Sequence, residues 1–146
     1  MIIFYSPQKK SDPMLLDSLL GMNALHDKLE TFLRSRDDVI DILADTNGSP
    51  EPYETLLYGL RVIKSDGPIL LRLDDQKMLV FSGSSENLLL YISYFRFEND
   101  EEGNHHHPKY VWDVERRQPK QGYLSANTLS LIIEVDSEWL EHWGKR

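Results

Sequence analysis

The run Asn104-His105-His106-His107-Pro108-Lys109-Tyr110 gathers three of the chain's five histidines into one short segment. An acidic stretch precedes it, and Tyr123-Leu124-Ser125 and the apolar Leu129-Ser130-Leu131-Ile132-Ile133 follow. Imidazoles in that setting can bind a metal, move a proton, or hydrogen-bond to a partner. If a strand begins near His105, period-two alternation puts His105 and His107 on one face and His106 on the other. A His-x-His pair supplies two zinc or iron ligands, and a catalytic centre normally needs a third. Asp113, His142, Glu98 and His26 carry suitable donor atoms, but none stands at a diagnostic spacing. Pro108 has no N–H to give a ladder and belongs on an edge strand. The competing expectation is therefore an exposed sheet edge, on which the histidines meet a partner or nearby carboxylates. The blandest reading leaves them solvated in a loop.

Carboxylates fall into two groups: Asp37, Asp38, Asp41 and Asp45, and then Glu98, Asp100, Glu101 and Glu102. Two carboxylates can hydrolyse a glycoside only when a pocket fixes their separation, and nothing in the spacing fixes one. Loop acids are usually solvated. Their functional alternative is to meet a basic surface, which speeds association and sets register. Tyr110, Trp112 and Tyr123 lie around the histidine segment, and tyrosine and tryptophan are enriched at binding hot spots. Ser82-Gly83-Ser84-Ser85 could open a helix over a phosphate, but it lacks the lysine and glycine spacing of a P-loop. Plain helix capping is the simpler reading. There is no H-E-x-x-H, no dinucleotide fingerprint and no G-x-S-x-G elbow.

Elements that position these groups must fit in 146 residues, the size of one ordinary domain. Apolar residues make up 40% and charged residues 27%, which describes a folding chain rather than a disordered one. No cysteine is present, so disulfides, thiolate metal sites and a cysteine nucleophile are excluded. A formal charge of −8 repels phosphate backbones and anionic membranes, so neither nucleic acid nor membrane is an expected partner. The N-terminus lacks a signal-peptide pattern and no apolar run reaches the ~20 residues of a membrane span. A cytoplasmic location is the expectation.

Residues 2–5 read as a strand, and Ser11-Asp12-Pro13 as a helix start with proline in the first turn. Leu15, Leu16, Leu19, Met22, Leu25, Leu29, Phe32 and Leu33 then predict one amphipathic helix ending near Ser35. Residues 39–44 favour a strand, 45–50 a loop, and 51–58 a short helix. Strands over 60–64, 69–73 and 78–82, joined by hairpin-length links, predict an antiparallel meander. Ser84-Ser85-Glu86 opens a second helix through Leu88, Leu89, Ile92 and Phe95. Residues 110–114 and 129–135 read as the last strands. Asp136-Ser137-Glu138 caps a terminal helix that packs Trp139 and Trp143 on the sheet, with Tyr91, Tyr94 and Phe95 in the core or at its border. The sum is α+β: one domain spanning 1–146, with a mainly antiparallel sheet and two main helices packed against it.

The order of parts also resembles the small acidic immunity proteins encoded beside bacterial polymorphic toxins, and among them the group called immunity protein 32. Pro52-Tyr53-Glu54-Thr55-Leu56-Leu57-Tyr58-Gly59-Leu60-Arg61-Val62 begins the likeness, and Val80-Phe81-Ser82-Gly83 continues it into a helix. The segment from His105 to Tyr110, then Tyr123-Leu124-Ser125 and Leu131-Ile132-Ile133, complete it over roughly the C-terminal two-thirds. This resemblance implies a protein that binds a cognate toxin domain and occludes its active site, with no catalytic residue, metal or cofactor of its own. The acidic surface and the histidine edge are where the contact is expected: His105, His107, Tyr110, Trp112, Asp113, Glu98, Asp100, Glu101 and Glu102, facing a basic toxin surface. Two alternatives stand beside it: a metal-binding module or metal-dependent enzyme built on His105 and His107, and an adaptor of the SUKH immunity type.

Overall fold

The computed structural model describes residues 1–9, 11–108 and 112–143, with the backbone alone at Trp112. Strand β1 (Ile2–Tyr5) turns back into β2 (Met14–Asp17), with Ile3 opposite Leu15. Helix α1 (Leu19–Leu33) starts at Ser18, whose hydroxyl accepts the Gly21 N–H at 3.0 Å. It buries Met22, Leu25, Leu29, Phe32 and Leu33 along one stripe. After β3 (Val39–Leu43) and β4 (Thr55–Leu56) come β5 (Gly59–Lys64), β6 (Leu70–Leu73) and β7 (Met78–Gly83). Ser84 caps α2 (Ser85–Ile92) by accepting the Asn87 N–H, and one 3-10 turn, Ser93–Phe95, extends it. The chain closes with β8 (His105–His106), β9 (Trp112–Asp113), β10 (Gln118–Pro119), β11 (Ile132–Val135) and α3 (Ser137–His142). Asp136 caps α3 through the Trp139 N–H at 2.9 Å.

Two main sheets result, in the order β4-β1-β2-β11-β8 and β3-β5-β7-β6, while β9 and β10 pair as a separate hairpin. Most neighbours are antiparallel; β11 runs parallel to β2, and β5 parallel to β7. One core joins the inner faces of both sheets to the helices: Ile3, Leu15 and Ile133 from the first, Leu60, Val62, Leu79 and Phe81 from the second, with Leu29 of α1 and Leu88 of α2. Alternation sends Ile2, Phe4 and Leu16 to the outer face of the first sheet, where α3 and Tyr53 cover them in a second cluster. Burial of a side chain such as Phe4, 1% exposed, contributes about 2–3 kcal/mol.

The α+β class is as expected, as are β3 and the capped starts of α2 and α3. Several local expectations are corrected. Residues 14–17 form a strand and not the first turn of the helix, because Ile132–Val135 supplies a parallel partner that a helix would forgo. Residues 51–58 form no helix; Thr55–Leu56 instead pairs with the free side of β1. The expected meander is broken because β7 inserts between β5 and β6. Of these three strands, only β6 and β7 are hairpin neighbours. Residues 129–131 precede the last strand rather than belonging to it, and the Leu129 N–H donates to Leu71 O at 2.9 Å. The segment around Tyr123 and Ser125 likewise bonds to Ile69, closing that side of β6. Among the described residues, no helix is long and apolar enough to cross a membrane.

Candidate functional site

Strand β8 is the outermost strand of the first sheet, paired on one side with β11 through His106 opposite Ile133 and His105 opposite Glu134. Among the described residues, that position makes β8 an edge of the sheet. His105 and His107 are exposed, and their rings meet edge to face with centroids 4.9 Å apart. His106 points the other way and is half-buried. Its Nδ1 donates to the Tyr94 carbonyl at 2.7 Å, and its Nε2 lies 3.1 Å from Glu101 Oε2. The middle histidine therefore belongs to the fold and the outer two to the surface.

The acidic loop divides in the same way. Glu101 Oε1 accepts the Glu98 N–H at 2.8 Å, and this bond, ahead of the one to His106, holds its carboxyl below the usual carboxylate range. Glu102 Oε1 accepts the Ser137 N–H at 2.6 Å, tying the loop to the first turn of α3. The side chains of Glu98 and Asp100 remain exposed in the loop that leads into β8. Asp113 lies on the separate hairpin, where its carboxylate accepts the Arg116 N–H at 3.1 Å and shapes the turn. Tyr110 and the side chain of Trp112 lie outside the described residues. Tyr123, expected near the interface, is instead 1% exposed inside the core, because residues 123–129 run along β6. Within the first acidic group, Asp41 makes a two-point pair with Arg61 across β3 and β5, at 2.6 and 2.9 Å.

On the outer face of the first sheet lies a cleft of about 310 Å3 lined by Phe4, Met14, Leu16, Tyr53, Glu134 and Trp139. Phe4 stacks on Tyr53 at 5.1 Å, and Trp139 meets Phe4 edge-on at 5.9 Å. Glu134 reaches this face because Ile133 and Val135, its neighbours along β11, fill the core. Burial is the first cause that pushes its carboxyl up, the nearby Asp136 charge is the second, and His105 draws it partly back. The Tyr53 phenol is raised by burial and then by Glu134, which keeps it protonated. Sequence patterning misses this cleft, since its walls come from β1, β2, β11, α3 and a loop. The only local signal is a glutamate set between apolar residues of a strand.

Among the described residues, no three histidine, aspartate or glutamate side chains gather where they could hold a metal ion. The proposed third ligands are dispersed: His26 is buried on α1, 3.0 Å from Asp27, His142 is exposed on α3, and Asp113 serves its turn. The arrangement comprises an open polar edge, exposed carboxylates, and an aromatic cleft with one half-buried acid. No protein-family model, curated protein or solved structure matches the chain.

Proposed function

We propose that this chain is an immunity-type protein that binds a basic bacterial toxin domain in the cytoplasm and neutralises it by covering its active site. The observation that carries the reading is the open edge of β8, where His105 and His107 stand exposed beside the Glu98–Asp100 end of the acidic loop. A formal charge of −8 supports it, because such a field steers a cationic partner inward. The resemblance of its motif order to that of immunity proteins is the second ground for the reading. No bond is made or broken in this role; the work is occlusion, for which about 800 Å2 of contact per partner suffices.

Co-expression with the C-terminal domain of the adjacent upstream gene's product tests it. That domain should kill alone, and this chain should restore growth through a stable complex. A harmless neighbour, or rescue without a complex, overturns the reading.

A further inference from the structure

We infer that the cleft between Phe4, Tyr53, Trp139 and Glu134 is a receptor for the guanidinium group of an arginine on the partner. The inference rests on the binding reading above for its source of arginine, and on the cleft alone for its chemistry. At about 310 Å3 the cleft is at the small end of ligand pockets, which run from about 300 to 1,000 Å3. It fits one long side chain better than a cofactor. Its walls are the half-buried rings of Tyr53 and Trp139, set over the buried Phe4, and a planar cation is drawn to aromatic faces within about 6 Å. At its polar end is Glu134, which no donor among the described residues hydrogen-bonds.

A half-buried carboxylate with no donor from the described residues gains when an incoming group supplies one in place of water. Asp136 adds negative charge but is already committed to the Trp139 N–H. Guanidinium satisfies the whole arrangement at once: its plane stacks on an aromatic wall, and its N–H fork reaches a carboxylate with two parallel bonds. An anion would face Glu134, and a neutral apolar group would leave the acid unanswered. His105, opposite Glu134 on β8, links the cleft to the exposed edge, so both form one continuous surface.

The test uses N-acetyl-L-arginine amide and its uncharged counterpart, N-acetyl-L-citrulline amide, titrated onto the full chain. Shifts of the Trp139 indole N–H in nuclear magnetic resonance spectra report occupancy. Saturable binding is expected for arginine and not for citrulline. Glu134→Gln should weaken arginine binding by about ten-fold, the effect of losing one charged hydrogen-bond partner. His105→Lys, which places a competing ammonium opposite Glu134, should weaken it too and covers the case in which Glu134→Gln does not fold. Equal binding of citrulline, or unchanged affinity in a folded Glu134→Gln, overturns the cleft. Toxin rescue then separates the two readings. If Glu134→Gln loses arginine binding yet rescues fully, the partner's arginine is overturned and neutralisation stands. If even the unmodified chain fails to rescue, neutralisation falls while the titration still decides the chemistry of the cleft.

Discussion

The imidazole of His106 lies flat on the ring of Phe97, with centroids 3.9 Å apart and planes 4° from parallel. Together with its contacts to Tyr94 and Glu101, the stack fastens β8 and the acidic loop to the end of α2. His106→Ala should therefore cost about 1–3 kcal/mol in urea unfolding, through the lost stack and hydrogen bonds. His105→Ala and His107→Ala touch only the surface and should stay within about 0.5 kcal/mol. Under the proposed function, their effect is to weaken toxin binding instead. Three histidines in a row thus separate into one half-buried residue bonded into the fold and two exposed ones.

Gly59 begins β5 opposite Leu43 of β3. A Cβ there would press on the Ile42 carbonyl oxygen, a backbone atom that cannot swing aside. Gly59→Ala is expected to destabilise by about 1–3 kcal/mol, as overpacking does elsewhere. Thermal unfolding followed by circular dichroism measures it; an unchanged midpoint would show that β3 yields freely at this edge.

Tyr91 and Tyr123 bury their hydroxyls in the core without a hydrogen-bond partner among the described residues. Burial pushes both phenols upward in pKa, so neither ionises in the physiological range. Removing an unsatisfied hydroxyl while keeping the ring is neutral or stabilising. Tyr91→Phe and Tyr123→Phe should each leave stability unchanged or raise it by up to about 1 kcal/mol. A loss larger than that would reveal a partner for the hydroxyl.

Glu101 and Glu134 have opposite pH signatures. The Glu101 carboxyl is depressed in the fold, so its contribution is present above its unfolded-state pKa and disappears as pH falls through the folded value. Glu134 is raised, so its charged form opposes folding, and stability declines as pH rises through its folded value. At about pH 7, Glu101→Gln should therefore lower the melting temperature and Glu134→Gln should raise it. The Glu134→Gln difference should vanish at about pH 3, where that carboxyl is protonated in either state. The Glu101→Gln difference should shrink as pH falls through the lowered folded value of Glu101. Melting curves across that range decide it, and a Glu134→Gln variant less stable at neutral pH would contradict the burial argument.

Local rules recovered the elements whose causes are local. Ser84 and Asp136 announce their helices because a cap acts within three residues. Val39, Ile40 and Ile42 announce β3 through β-branching alone. Leu15 and Leu16 misled because, with Leu19, they also satisfy a helical period. What makes them a strand is β11, whose residues lie at the other end of the sequence. The same limit governs the site. Pro108 and the alternation of His105 with His107 made the edge legible. The cleft draws Phe4, Tyr53, Glu134 and Trp139 from distant segments, so no window of sequence contains it.

The parallel pairing of β11 with β2 also sets when this surface can exist. Among the described residues, β8 has β11 as its strand partner, and β11 itself brings Glu134. A chain emerging from the ribosome at about 5–20 residues per second leaves β2 waiting on the order of ten seconds for that partner. Until then the histidine edge has nothing to pair with and the cleft lacks its acid. Such long-range closure also favours slow folding over milliseconds to seconds. If the proposed role holds, protection begins only with completed chains, and cells must finish this protein ahead of the toxin it restrains.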